Sequence, residues 1–138
     1  MEYPRQNLYV TAFLRRYWPH CASWPIENLR SWVQWFLGHD RCLIITDKGK
    51  LVCVAFFRLV TDLAECDTNY QDSNGPIVYI EVTAARRTEG MKAAFNHLRR
   101  LVGNRVSHIA WVRGKYDNRP SVYTMSNAAR HLTYGRTA

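Results

Sequence analysis

No stretch of this chain approaches the roughly eighteen uninterrupted apolar residues that a membrane-spanning helix needs, so no span is expected. The opening residues, Met1 to Asn7, are polar and lack the apolar run of a secretory signal. A cytoplasmic setting is the default expectation. Cysteine is scarce: Cys21, Cys42, Cys53 and Cys66 form no C-x-x-C pair, and no Cys/His spacing resembles a zinc site. That leaves no metal expected and four buried free thiols. Internal repeats and low-complexity tracts are also missing, which excludes solenoids and linker-like segments. Acidic residues become rare late in the chain. Residues 85–138 hold eleven Lys/Arg and two Asp/Glu, a net of +9, whereas residues 1–84 carry a net of −1.

What remains is a chain of 138 residues, 47% hydrophobic and 13% aromatic. That is enough to bury the core of one domain, residues 1–138. A half this basic suits a polyanionic partner, either nucleic acid or a phosphate-rich cofactor, and equally a solvated basic face.

Helical spacing runs from Asn7 to Tyr17, with Leu8, Phe13 and Leu14 near one face, and the Trp18-Pro19 step ends it. His20 to Pro25 is a short connection. Ile26 to Leu37 reads as a second amphipathic helix with Ile26, Leu29, Trp32, Val33 and Phe36 inward and Gly38 as its stop. Of the tryptophans, Trp32 is expected in the core, and Trp18 and Trp35 are expected exposed, as on a partner surface. Arg41 to Thr46 and Leu51 to Val60 read as strands joined by the turn Asp47-Lys48-Gly49-Lys50. Thr61 to Gly75 is an acidic surface connection. Pro76 to Thr83 is a third strand, Gly90 to Val102 a helix with the stripe Met91, Ala94, Phe95, Leu98 and Leu101, and Val106 to Arg113 a fourth strand. Asn118 to Met125 is a short helix or a strand, and Ala128 to Tyr134 a last strand. Helices, a hairpin and then strand–helix–strand imply an α/β (α+β) fold with a mixed sheet and flanking helices.

The strand–turn–helix over residues 77–102 carries the chemistry. A helix N-terminus offers unpaired amides and partial positive charge, and so seats a phosphate. Gly90 permits close approach there, and Arg86, Arg87 and Lys92 surround it with cations. Val82 at the strand end, followed by Arg87-Thr88-Glu89-Gly90 as Arg-x-x-Gly and a helix with Phe95 and Leu98 inward, resembles the GNAT acyl-CoA N-acyltransferase superfamily over about residues 40–125. Lys92 stands where the pattern has Gly or Ala, and Ala84 where it usually has Pro. The resemblance implies a mostly antiparallel sheet and a bound acetyl-CoA or other acyl-CoA. Its pyrophosphate would lie on the amides of Thr88, Glu89, Gly90, Met91 and Lys92. A looser resemblance links His20, four residues before Trp24-Pro25, and Glu81 to the toxin-activating lysine acyltransferases.

Acyl transfer to an amine needs a base for the ammonium and an acid for the leaving thiolate. By the resemblance Glu81 is the candidate base, Tyr123 is the candidate acid, and Val82 and Asn118 join the turn residues as candidate cofactor-binding positions. His20 is a second base by its intrinsic pKa. Alternation puts Glu81 on the face of Tyr79 and Thr83. The function expected is acyl transfer to an amine or protein lysine. The alternative is a catalytically silent GNAT-like module, viral or virion-associated, acting through a protein partner or a homo-oligomer. Nucleic-acid binding ranks third, because the basic residues alternate with apolar ones and form no known motif.

Overall fold

A computed structural model of the chain describes residues 3–67, 71–112 and 120–128. They form a mixed α/β fold around a five-stranded, mostly antiparallel sheet of order β1-β2-β3-β4-β5. The elements are α1 (Arg5–Tyr17), α2 (Ile26–Gly38), β1 (Cys42–Asp47), β2 (Lys50–Val60), β3 (Ile77–Ala85), α3 (Thr88–Val102), β4 (His108–Val112) and β5 (Pro120–Thr124). Residues 125–128 are helical again. The chain divides into two compact units, the first of residues up to Phe56 with Val82–Ala94, the second of Phe57–Glu81 with the residues from Phe95 onward.

In the first unit, α1 and α2 cover one face of the strands. Val10, Phe13 and Leu14 of α1 and Leu29, Val33 and Phe36 of α2 share a buried cluster with Val54, Phe56, Val82 and Ala84. The helix phases differ from those expected, since Leu8 and Ile26 face solvent. The i, i+3 spacing allowed them inside, but buried Asn7 sets the register instead. Its amide donates to the Arg30 carbonyl at 2.9 Å, and its Oδ1 accepts from Arg30 Nε at 3.1 Å and Thr11 Oγ1 at 3.2 Å. This polar link between helices satisfies every buried group it brings in.

The Trp18-Pro19 step turns the chain into a short 3-10 segment, Pro19–Cys21. Arg15 gathers that connection, donating to the carbonyls of Cys21, Ala22 and Trp24. Trp18, expected exposed, therefore folds inward. It stacks on Trp32 at 5.4 Å and meets Trp24 edge-on at 5.4 Å, and Trp32 abuts Phe56 at 5.3 Å. Trp35 is likewise partly buried, edge-on to Phe36 at 4.9 Å. The α2 stop also differs. Gly38 is still helical, and Asp40 takes the left-handed conformation at φ 55°.

β1 and β2 pair antiparallel through the two-residue turn Lys48-Gly49, both at positive φ (54° and 79°), as a tight right-twisting hairpin requires. β3 runs two residues beyond the expected end, and the Arg86 amide donates to the Val52 carbonyl at 2.9 Å. α3 begins two residues early, with Glu89 in its first turn and Arg99 and Arg100 in its last, matching the helix dipole. All four cysteines are free thiols. Burial pushes Cys42 up to about 12 and Cys53 to about 11.

In the second unit, β3 pairs parallel with β4 from Ile77↔His108 to Ile80↔Trp111, and β4 pairs antiparallel with β5. Of the ambiguous segment 118–125, residues 120–124 are a strand, Met125 begins a helical turn and 118–119 lie outside the described residues; the expected last strand at 128–134 lies outside them too, save Ala128, which is helical. The α3 stripe closes on buried Val102, while Met91 and Leu101 are about half exposed (46% and 52%). The acidic connection is not a free loop. A 3-10 turn, Leu63–Asp67, opens it, and on its return Ser73 donates to the Leu59 carbonyl at 3.0 Å while Asp72 Oδ2 accepts the Leu59 amide at 2.9 Å.

Two glycines permit backbone contact that no side chain would. A Cβ at Gly75 would lie 2.3 Å from the Val60 oxygen, and one at Gly90 3.0 Å from the Val52 oxygen. Gly75→Ala and Gly90→Val are each expected to lower stability to urea unfolding by about 1–3 kcal/mol, the usual cost of overpacking. For Gly90→Val the carbonyl it meets belongs to a paired strand and has little room to yield.

Candidate functional site

The amides expected to seat a phosphate are only partly available. Thr88 and Glu89 have no amide acceptor among the described residues, whereas the Gly90 amide closes the first turn on the Arg87 carbonyl at 3.0 Å. Gly90 itself is buried against β2, so its missing side chain serves helix-to-strand packing. Thr88, Glu89, Met91 and Lys92 are exposed. Lys92 lies one turn beyond Thr88 and so shares its side of α3.

The two arginines of the turn do not converge on that helix end. Arg87 Nη2 pairs with Asp47 Oδ2 at 3.0 Å, both side chains about half exposed. Such a surface pair contributes little to stability, and a phosphate could compete for the guanidinium. Arg86 instead lines a groove formed by one face of α1 and the β1–β2 hairpin. Val82 and Ala84, four and two residues before it, belong to the core beneath those helices. Sequence proximity placed Arg86 and Arg87 at one site, but in the bend between β3 and α3 the two side chains take different partners.

Glu81 sits at the centre of the second unit's polar chemistry. Its Oε1 accepts from Arg58 Nε at 2.9 Å, and Oε2 has no partner among the described residues. Burial holds the carboxyl above the ordinary glutamate range, and the Arg58 charge and hydrogen bond offset part of that rise. The carboxylate is 24% exposed, and it shares a face of β3 with Tyr79, as alternation requires.

Arg58 is the residue that sequence reading missed. It is 1% exposed, near the C-terminal end of an otherwise apolar strand. Besides Glu81 it donates to the carbonyls of Glu65 at 3.0 Å, Cys66 at 3.0 Å and Gln71 at 3.2 Å, and its guanidinium lies 5.3 Å from the Tyr79 ring centre. An arginine inside the run Leu51–Val60 was the available signal, because a charge is buried only when it is paired. Glu65 Oε2 accepts the amides of Thr61 and Asp62 at 2.6 and 3.0 Å, and those bonds hold its carboxyl below the usual range.

His20 is exposed on the Pro19–Cys21 segment, its ring 5.8 Å from Trp18. Tyr123 lies on β5, stacked on Trp111 at 4.8 Å. Asn118 lies outside the described residues. Among the described residues no group of three or more His, Cys, Asp or Glu could hold a metal, and no helix is long and apolar enough to cross a membrane. No protein-family model matches the chain, and no curated protein matches it.

Because the folded-state pKa of Glu81 is raised, its contribution to stability is full below the ordinary glutamate range and falls as pH rises through the folded value. Urea unfolding of the wild type and Glu81→Gln across acid to neutral pH should therefore show the wild type losing stability relative to the variant as pH rises. A constant difference between the two would contradict the assignment.

Proposed function

We propose that the chain is an acyl-CoA-dependent N-acyltransferase with a GNAT-like fold, acting on an amine or a protein lysine. The observation that carries this reading is the path of β3. Among the described residues it pairs parallel with β4 from Ile77↔His108 to Ile80↔Trp111, and the strand continues to Ala85 and turns into α3, where the Thr88 and Glu89 amides lack acceptors. Strand, phosphate turn, helix and parallel strand then follow in the order the resemblance implies.

In this reading the Thr88 and Glu89 amides take the diphosphate, Lys92 supplies a cation one turn along, and Arg87 exchanges Asp47 for phosphate. Glu81 receives the ammonium proton on Oε2, while Arg58 holds Oε1 in place. The freed amine attacks the thioester carbonyl carbon, the C–S bond breaks, and the thiolate takes a proton from Tyr123. A carboxyl raised by burial suits the base, since its conjugate acid is closer to neutrality.

A second reading, a catalytically silent module that binds a protein partner, is favoured by two contacts: Gly90 is used for packing, and Arg87 is already paired.

Acetyl-CoA is expected to raise the melting temperature of the protein. Lys92→Glu should weaken its binding by about tenfold or more, as expected for losing a charge-assisted phosphate contact, and Arg100→Glu should change it little. Absence of any thermal shift with acetyl-CoA, together with a stable protein complex, would favour the silent module.

A further inference from the structure

The groove that Arg86 enters has chemistry of its own. It encloses about 910 Å³ between one face of α1 and the β1–β2 hairpin, all within the first unit. That volume lies within the usual range for small-ligand sites. Three cations line it, Arg16 from α1, Lys50 from β2 and Arg86 from the turn before α3, and no carboxylate stands among the described lining residues. Asp47, the nearest acid in sequence, is turned to Arg87 instead. Aromatic surface accompanies the charge. Tyr9, Phe13 and Tyr17 occur at i, i+4 and i+8 of α1, so they form a single row along the groove wall. Tyr9 is 56% exposed, the Phe13 and Tyr17 rings lie 4.6 Å apart, and the Arg16 guanidinium stands 5.4 Å from the Tyr17 ring centre.

A large exposed tyrosine in a groove whose cations have no ion-pair partner among the described residues is a surface for a planar, anionic ligand: rings stack on rings, and guanidinium and ammonium groups take phosphate oxygens. We propose that this groove binds a nucleoside phosphate, its base against Tyr9 and its phosphates between Arg16, Lys50 and Arg86. Two features favour it over an acidic peptide. All three cations line one groove, and the exposed Tyr9 ring offers a face that peptide carboxylates do not use. The site is independent of the acyl-CoA reading, because it uses neither the Thr88 and Glu89 amides nor Glu81.

Titration calorimetry of the full chain with ADP tests this directly. Saturable binding is expected. Arg16→Gln, Lys50→Gln and Arg86→Gln should each weaken it by about three- to tenfold, the effect of losing one charged hydrogen bond, and Tyr9→Ala should weaken it by a similar factor. Adenosine should bind at least about tenfold more weakly than ADP. These four side chains are exposed or partly so, and the circular dichroism of each variant should match the wild type. The proposal is overturned if ADP does not bind, if the three cation variants bind it like the wild type, if adenosine binds as tightly as ADP, or if a Glu-rich decapeptide binds more tightly.

Discussion

A guanidinium taken out of water must find acceptors for its donors and a negative charge for its own, or the fold loses several kcal/mol. Arg58 meets that demand near the end of β2, and the polar contacts of the second unit gather around it. Three backbone carbonyls of the segment after β2, those of Glu65, Cys66 and Gln71, accept its donors. The carboxylate comes from β3. Arg58 thereby holds Glu81 Oε1, and Oε2 has no partner among the described residues.

Arginine plays a parallel part in the first unit. Arg15 reaches from the last turn of α1 to three carbonyls of the connection that follows, and so decides where the chain turns after the Trp18-Pro19 step. With that connection gathered in, Trp18, Trp24 and Trp32 meet as one aromatic cluster. Exposed aromatic surface is then concentrated elsewhere, on Tyr9 of α1. The same economy separates the basic turn into distinct surfaces. Arg87 faces Asp47, Arg86 faces the groove, and Lys92 accompanies the start of α3.

The elements were legible where one physical signal dominated. Period-2 and period-3.6 patterns located both N-terminal helices, the hairpin and the strand–helix–strand unit, because apolar burial sets those periods. Phases were less legible. Leu8 and Leu101 carry the right chemistry for the core yet face solvent, because the polar link at Asn7 and the closing contact at Val102 set the helix rotation. The side of β3 that Glu81 occupies was legible from alternation, and so was the exposed start of α3. The site was not legible in Arg58, because the carbonyls that justify its burial lie 7 to 13 residues away and carry no sequence signature. Gly90 was read as room for a ligand. Sequence alone does not distinguish that from room for a neighbouring strand.

The central claim is that Arg58 and Glu81 act as one buried unit. A double-mutant cycle of Arg58→Met and Glu81→Leu, followed by urea unfolding of the full chain at neutral pH, measures it. The account predicts that each single variant loses more than the pair justifies, with a coupling energy of about 1–3 kcal/mol, because either change alone strands a buried charge. Effects that add to within about 0.5 kcal/mol would show two independent side chains and contradict it.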